Sequence, residues 1–562
     1  MVRQFMLVAL LFASAGALQA APPDKAEVAA FAERMLADNC DLQAPGMAVL
    51  VARGDEVLFR GACGRASLEL DVPLAPEQVF RIGSVTKQMS AAAVLKLAED
   101  GRLALHEPLT KYVPGYPGGD AITVAMLLDH TSGIRSYTDI PGAMAGPVRL
   151  DVTTAELIDA FKDQQPDFAP GEGWSYNNSG YVLVGAVIEA ASGMSWHAYL
   201  QDALFAPLGM AHTRYGNAAE GVIPGHVSGY TRIGERWAAA NPLSMTQPHA
   251  AGALVSTVDD LLRWNRALHA GRVLHEDSYR RMVTPAGKAA EHDYGYGIVA
   301  GTLRGQPVLQ HGGGIFGFSS YLLYLPDSDL SVAVLYNADA GRPGMLGTGR
   351  LGNLLAAHAI GRPYPEKTPI EMDPDTLREY EGVYRIDDAN TRVLRVSDGG
   401  LTSQRTGGPA YALIPVAPDT FLFEEGFSRM VLERDAAGRV RAMRFYPEDE
   451  GEGEVVERTD EPLPAARDAI ELPAAALERL VGEYVREGMT LTIVLEGGTP
   501  KAQLTGQPAF EIFAESPSRF FLKVVDATLE FAPASGRPDT VTLHQGGAVL
   551  EFRREDRARD SE

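Results

Sequence analysis

Between Thr86 and Asp100 the chain places Met89, Ala91, Ala92, Ala93, Val94, Leu95 and Leu97 ahead of an Asp100-Gly101 stop. The spacing predicts a helix whose apolar residues nearly surround its axis instead of striping one face. Such a helix has to lie inside a domain, with other layers packed around it. Immediately before it runs Arg81-Ile82-Gly83-Ser84-Val85-Thr86-Lys87. Ser84 and Lys87, one helical turn apart, would share a face. A serine hydroxyl is a weak nucleophile until a neighbour takes its proton, and a lysine can do so when desolvation or a nearby cation keeps it partly neutral. A helix N-terminus at Ser84 would also favour the negative charge that develops in acyl transfer. Taken alone, the four residues read equally well as an N-cap serine followed by a surface lysine.

At 562 residues the chain is too long for one compact domain. Its 46% hydrophobic and 22% charged residues are those of a globular protein able to build a large core. The formal net charge of −23 argues against a nucleic-acid partner and against adhesion to an anionic membrane surface. Residues 1–21 read as a signal peptide: Arg3 is the positive region, Phe5 to Ala13 the apolar core, and Leu18-Gln19-Ala20-Ala21 the cleavage site. That core is too short to span a membrane, so a periplasmic or secreted protein is expected. Cys40 and Cys63 could pair in an oxidising compartment or stay as two buried thiols. Two cysteines make no metal framework, His-Glu-x-x-His does not occur, and no metal or cofactor is expected.

From the N-terminus, Lys25 to Asn39 reads as a helix, and Gly46–Ala52 and Glu56–Ala62 as a hairpin around Arg53-Gly54-Asp55. Residues 134–170, rich in Gly, Pro and Asp, have the character of a lid or binding loop with one helix near Thr154 to Lys162. Further helices are expected over Val182–Ala191, Ser256–Ala270 and Leu351–Ile360. Period-two strands are expected at Pro307–Gln310, Ser319–Leu325 and Leu330–Tyr336, with the glycine run after His311 lying between the first two. A hairpin, interleaved helices and a closing meander give an α+β domain over 22–361, an antiparallel sheet flanked by helices. After the proline-rich stretch from Arg362 to Pro374 the texture changes to short alternating runs. Leu377-x-x-Tyr380-x-Gly382-x-Tyr384 returns one hundred residues later as Leu477-x-x-Leu480-x-Gly482-x-Tyr484. Two small antiparallel β-barrels, over 372–460 and 474–556, are expected.

Three elements stand in order along the first domain: Ser84-x-x-Lys87, Tyr176-x-Asn178 and His311-x-Gly313. Separately, Tyr176 could be a turn aromatic, Asn178 a cap, His311 a core histidine and the glycines a hairpin turn. Together they resemble the penicillin-recognising serine hydrolases of peptidase family S12: class C β-lactamases, DD-carboxypeptidases and D-aminopeptidases. The resemblance extends over about Ala30 to Ile360 and includes Leu127-Leu128-Asp129-His130-Thr131-Ser132-Gly133, Pro207-Leu208-Gly209-Met210 and Ala251-Gly252-Ala253-Leu254-Val255-Ser256-Thr257. It implies that Ser84 is the nucleophile and that Lys87 and Tyr176 handle protons, with Lys87 favouring the anionic form of the phenol. Asn178 would bond Lys87 and the substrate amide. His311, Gly313 and Gly314 would bind substrate, the glycines bringing backbone N–H groups to the reacting carbonyl.

His311 stands where β-lactamases and carboxypeptidases carry lysine, a permanent cation suited to a substrate carboxylate, whereas histidine is charged only part of the time near neutrality. The layout of one catalytic domain and two lipocalin-like barrels resembles bacterial D-aminopeptidases. The expected function is hydrolysis, through an acyl-enzyme, of a small-molecule or short-peptide amide bearing a D-residue. An esterase, a β-lactamase, a DD-carboxypeptidase, or a sensing protein acylated without turnover remain as alternatives. The oligomeric state is not legible.

Overall fold

The computed structural model describes residues 22–555 apart from 141, 145, 343, 398, 466–468, 487–488, 505–508, 524 and 546–547. The expected signal peptide lies outside the described residues. The first helix, α1 (Lys25–Asp38), starts on a capping box in which Asp24 accepts from the Glu27 N–H and Glu27 returns the bond to the Asp24 N–H. The hairpin of β1 (Met47–Arg53) and β2 (Glu56–Cys63) follows, then the apolar-coated α2 (Thr86–Glu99), α3 (Asn178–Ser192) and α4 (Val258–His269). A meander of β3 (Val299–Leu303), β4 (Gln306–Ile315), β5 (Phe318–Leu325) and β6 (Leu330–Tyr336) and a last helix, α5 (Thr348–Ala359), complete the domain.

These strands form one antiparallel sheet in the order β3-β4-β5-β6-β1-β2. The first and last segments of the domain therefore meet at its centre, with Val49 opposite Val334 and Leu50 opposite Ala333. β1 is buried on both faces. Ala48, Leu50 and Ala52 belong to the core shared with α2, α3 and α4, while Met47, Val49 and Val51 pack in the second core with Val28, Ala32, Leu351 and Leu355 of α1 and α5. The sheet is thus sandwiched between helices, which is why β1 is a continuous apolar run and not an alternating one.

As expected, α2 is central: Lys87 to Leu95 are all buried. Its buried polar groups find partners on neighbouring segments. Ser90 Oγ donates to Ala250 O at 2.8 Å, Gln88 Oε1 accepts from Trp264 Nε1 at 3.0 Å, and Thr86 Oγ1 accepts from the Leu254 N–H at 3.2 Å. Cys40 and Cys63 are joined as a disulfide, Cα to Cα 6.1 Å, tying the end of α1 to β2. Among the described residues no helix is long and apolar enough to cross a membrane.

The chain forms the expected α+β unit followed by two antiparallel barrels, the first closed with eight strands between Gly382 and Arg458. The second, nine strands in one sheet, is nearly closed, its two edge strands being Phe510–Glu511 and Phe513–Ala514. The hundred-residue echo has a physical basis. Tyr384 Oη donates to Tyr380 O, and Tyr484 Oη to Leu480 O, each at 2.8 Å. Behind them, Arg458 and Arg554 donate to carbonyls of 379–381 and 479–481. A Cβ on Gly382 or Gly482 would stand 2.6 Å from those guanidinium groups. Glycine is fixed at both places by an arginine lying across the backbone.

The first barrel docks on the turn between β3 and β4. Arg304 there, with Gly305, forms a two-residue hairpin turn with φ of 51° and 73°. Its guanidinium pairs with Asp449 at 3.1 Å, and Asp449 also pairs with Arg429 at 2.5 Å. Tyr364 of the linker stacks on Phe427 of the barrel at 3.9 Å, carrying Phe427 into the core beneath α5.

Candidate active site

Ser84 sits in a single 3₁₀ turn, Gly83–Val85, that leads directly into α2. The turn depends on Gly83, whose φ is +48° and whose missing Cβ would stand 3.0 Å from Gly314 N. β4 passes so close that a Cβ on Gly313 would lie 2.1 Å from Ile82 O. Ser320 Oγ on β5 donates to the same Ile82 carbonyl at 2.7 Å and pins the meander to the turn. The glycine run is therefore not the loop between strands that the sequence leads one to expect. β4 continues through it to Ile315, paired with β5 from Leu309–Tyr324 to Ile315–Phe318. β3 pairs only as far as Gln310, so from His311 onward the opposite edge of β4 is released by β3 and faces the Ser84 turn.

Lys87 is fully buried, and its Nζ has three neighbours: Ser84 Oγ at 3.0 Å, Asn178 Oδ1 at 2.9 Å and Ala251 O at 2.9 Å. Burial pulls the amine well below the usual lysine range. A neutral amine has two protons and one lone pair. Asn178 Oδ1 and Ala251 O can only accept, so in the neutral form they would take the two protons and leave the lone pair to the Ser84 hydroxyl. Asn178, the first residue of α3, is held by an N–H donated to Ser136 Oγ at 3.2 Å and by Nδ2 donating to Thr138 Oγ1 at 3.3 Å. Asn177 caps that helix by accepting from the Gly180 N–H at 2.7 Å.

Tyr176 shows its ring to Lys87, Nζ lying 4.8 Å from the centroid. Burial pushes the phenol up, opposed only by a hydrogen bond with Ser84. The direction of that shift favours the protonated phenol over the anionic form that the resemblance implies.

His311 is corrected as well. It is 5% exposed, and burial, followed by the nearby Lys87, holds its imidazole down to about 4. It is neutral at pH 7 and is not a part-time cation. Its Nδ1–H donates to Gly312 O at 2.6 Å and its Nε2 accepts from Tyr294 Oη at 2.9 Å. The cleft at Ser84 encloses about 350 Å³ and is lined by Gly83, Tyr137, Asn178, Ala251 and Gly314 with Leu243 on one wall; among the described residues neither His311 nor any barrel residue lines it. Gly314, with open space where its Cβ would be, is the member of the glycine run that faces the cleft. Gly313 is the close approach behind it.

Two neighbours carried no readable signal in the sequence. Tyr294 belongs to no motif, and its link to His311 appears only in three dimensions. His130 lay in a stretch noted for its resemblance without a role. Its Nδ1 accepts from the Asn177 N–H at 3.1 Å, which places its proton on Nε2, where no partner is found among the described residues. The ring lies 4.5 Å from Tyr176 and 4.6 Å from Tyr294.

A serine whose hydroxyl faces a buried lysine without a counter-charge, with an asparagine and a tyrosine closing the group and glycine backbone opposite, defines a serine hydrolase of the penicillin-recognising type. The chain belongs to the Beta-lactamase family, whose model matches residues 26–356. It is 26% identical over 400 residues to penicillin-binding protein 4* of Bacillus subtilis, a match spanning 66% of this chain and 86% of that one. It is 30% identical over 336 residues to a D-aminopeptidase of Gluconobacter oxydans, 58% of this chain and 61% of that one. Among solved structures it resembles a D-stereospecific amidohydrolase from a Streptomyces species, with a TM-score of 0.52 and 28% identity over 60% of this chain and 98% of that one.

Proposed function

We propose that the protein is an exported hydrolase that forms an acyl-enzyme on Ser84 and acts on amides or short peptides bearing a D-residue at the N-terminal side of the cleaved bond. The observation that carries the chemistry is the Lys87 amine, buried without a counter-charge and fixed 3.0 Å from Ser84 Oγ by Asn178 Oδ1 and Ala251 O. Lys87 takes the serine proton as Oγ attacks the carbonyl. The Ser84 and Gly314 N–H groups receive the developing oxyanion. Tyr176, a protonated phenol bonded to Ser84, delivers a proton to the leaving amine and is recharged from Lys87. Water then repeats the sequence on the acyl-enzyme.

The D-residue preference is supported by the D-aminopeptidase relative and the D-stereospecific amidohydrolase likeness. The cleft of about 350 Å³ suits a small amide. Export to the periplasm or medium is supported by residues 1–21 and by the Cys40–Cys63 disulfide, which belongs to an oxidising compartment. The test is a panel of D- and L-amino-acid p-nitroanilides, short esters and nitrocefin, with intact-mass measurement during turnover. A mass increase that disappears in Ser84→Ala, with D over L preference, is the expected result. Turnover by Ser84→Ala would refute the mechanism, and faster cleavage of nitrocefin than of any D-amide would refute the substrate.

A further inference from the structure

Arg81, three residues before the nucleophile, is mostly buried yet has no hydrogen-bond acceptor and no carboxylate partner among the described residues. Its guanidinium packs over the Phe318 ring at 5.6 Å on one side. On the other it lines a recess of about 280 Å³, together with Arg149, Asp151, Asn217 and Leu243. Asp151 is turned to Ser244, whose Oγ donates to its Oδ1 at 2.5 Å. His226, across Phe318, is held down to about 4 by burial and by Arg81 itself and adds no charge at pH 7. A partly buried guanidinium retains its charge and five donors, and in folded proteins such a group is paired. Here it faces space.

The recess is next to the catalytic cleft. Leu243 lines both and is the wall between them. The backbone from Arg81 to Ser84 can span at most ~11 Å, within reach of one extended substrate. The Arg81 backbone is fixed relative to the catalytic group. Arg81 pairs with Val255 in the short strand that runs into Ala253 and Ala251, the segment that supplies the acceptor for Lys87.

We propose that this recess is an anion subsite of the enzyme, in which Arg81 receives a carboxylate carried by the acyl part of the substrate while its reacting carbonyl lies at Ser84. The inference rests on the hydrolase reading above and deepens it: the favoured substrates are acidic ones, such as D-residues with a carboxylate side chain. Arg149 contributes a second positive charge at the mouth of the recess.

Two matched substrate pairs test this. One is the α-p-nitroanilides of D-glutamate and D-glutamine; the other is 4-nitrophenyl hydrogen adipate and its methyl ester, each corrected for spontaneous hydrolysis. A charge-assisted bond of this kind should favour the charged member of a pair about tenfold in kcat/KM, mainly through KM. In Arg81→Met that ratio should fall to about one, and Arg81→Lys should retain part of it. Because the ratio is taken within one protein sample, a general loss of folded enzyme does not imitate the effect. Equal rates for both members in the wild type, with an acyl-enzyme still formed, would overturn the subsite and leave the hydrolase standing. No turnover of either pair would overturn both. Inhibition by inorganic phosphate that depends on Arg81, without any substrate preference, would assign the recess to a free anion and overturn the substrate role.

Discussion

The two ends of β4 serve opposite purposes with opposite electrostatics. At the Ile315 end the strand presses glycine backbone against the Ser84 turn, and the titratable groups there, Lys87 and His311, are buried and pushed by desolvation toward their uncharged forms. At the other end, about 30 Å away at 3.3 Å per residue over Gln306–Ile315, the Arg304 turn meets the first barrel where Arg304 and Arg429 both pair with Asp449. Desolvation without counter-charges makes an amine reactive, whereas desolvation with counter-charges makes an interface. The first barrel is fixed to the end of the strand remote from the cleft, and among the described residues no barrel residue lines that cleft.

The largest effects should come from breaking the uncharged end. Lys87→Met removes the amine 3.0 Å from Ser84 Oγ, and acylation measured by stopped-flow should slow by about 10³-fold or more while folding is retained. Gly313→Ala would force a Cβ to within 2.1 Å of Ile82 O. It should lift β4 from the nucleophile turn and lower kcat by about 10²-fold, the loss expected of a displaced oxyanion donor, with a smaller change in KM. Restoration of normal kcat in Gly313→Ala would show that the close approach is not needed.

Much of this end was legible from sequence. The apolar coat of α2 placed the helix in the centre, and Ser84, Lys87, Tyr176 and Asn178 converge because each lies in or beside an element with a clear pattern. His311 was legible as a position but not as a chemical state. Its charge depends on burial and on Tyr294, 17 residues away in sequence, and neither follows from spacing. The strand through Gly312, Gly313 and Gly314 was missed because three glycines signal a turn, whereas here they serve a ladder that has to pass beside another backbone. In the barrels the repeated Tyr and Gly were visible, but the arginines that explain them lie in strands near the far end of each copy.

The state of His311 is testable in two ways. His311→Lys introduces a second amine beside Lys87 without a counter-charge. It should cost about 3 kcal/mol in urea unfolding and lower activity without any gain toward substrates with free carboxylates. Better cleavage of such substrates would mean that the side chain at this position reaches the cleft after all. The wild type also carries a pH signature. The folded pKa of His311 is about 4, below the ordinary value of 6.5, so between those values the unfolded chain binds a proton that the folded chain refuses. Stability should therefore fall as pH drops from 6.5 to 4 and level off below that, by roughly 3 kcal/mol from this one group. His226, also about 4, acts in the same direction. Urea midpoints at pH 7 and pH 4.5 would measure the loss, which His311→Gln should reduce.

The smallest effect is expected at the charged end. Asp449 is 6% exposed as a side chain and lies between Arg304 and Arg429. Asp449→Asn keeps its shape but leaves two guanidinium groups with less counter-charge, and Arg304 still has Asp449 O at 2.9 Å and its stack over Tyr364 at 4.8 Å. The loss should be about 1–3 kcal/mol, confined to the attachment of the first barrel and visible as earlier proteolysis of the 362–374 linker. Hydrolysis of a small amide should not change, because β4 transmits nothing by charge over that distance and among the described residues the barrel contributes none to the cleft. A drop in kcat matching that of Gly313→Ala would instead mean that the two ends of the strand are mechanically one unit, with the barrel setting how firmly the glycine run is held against Ser84.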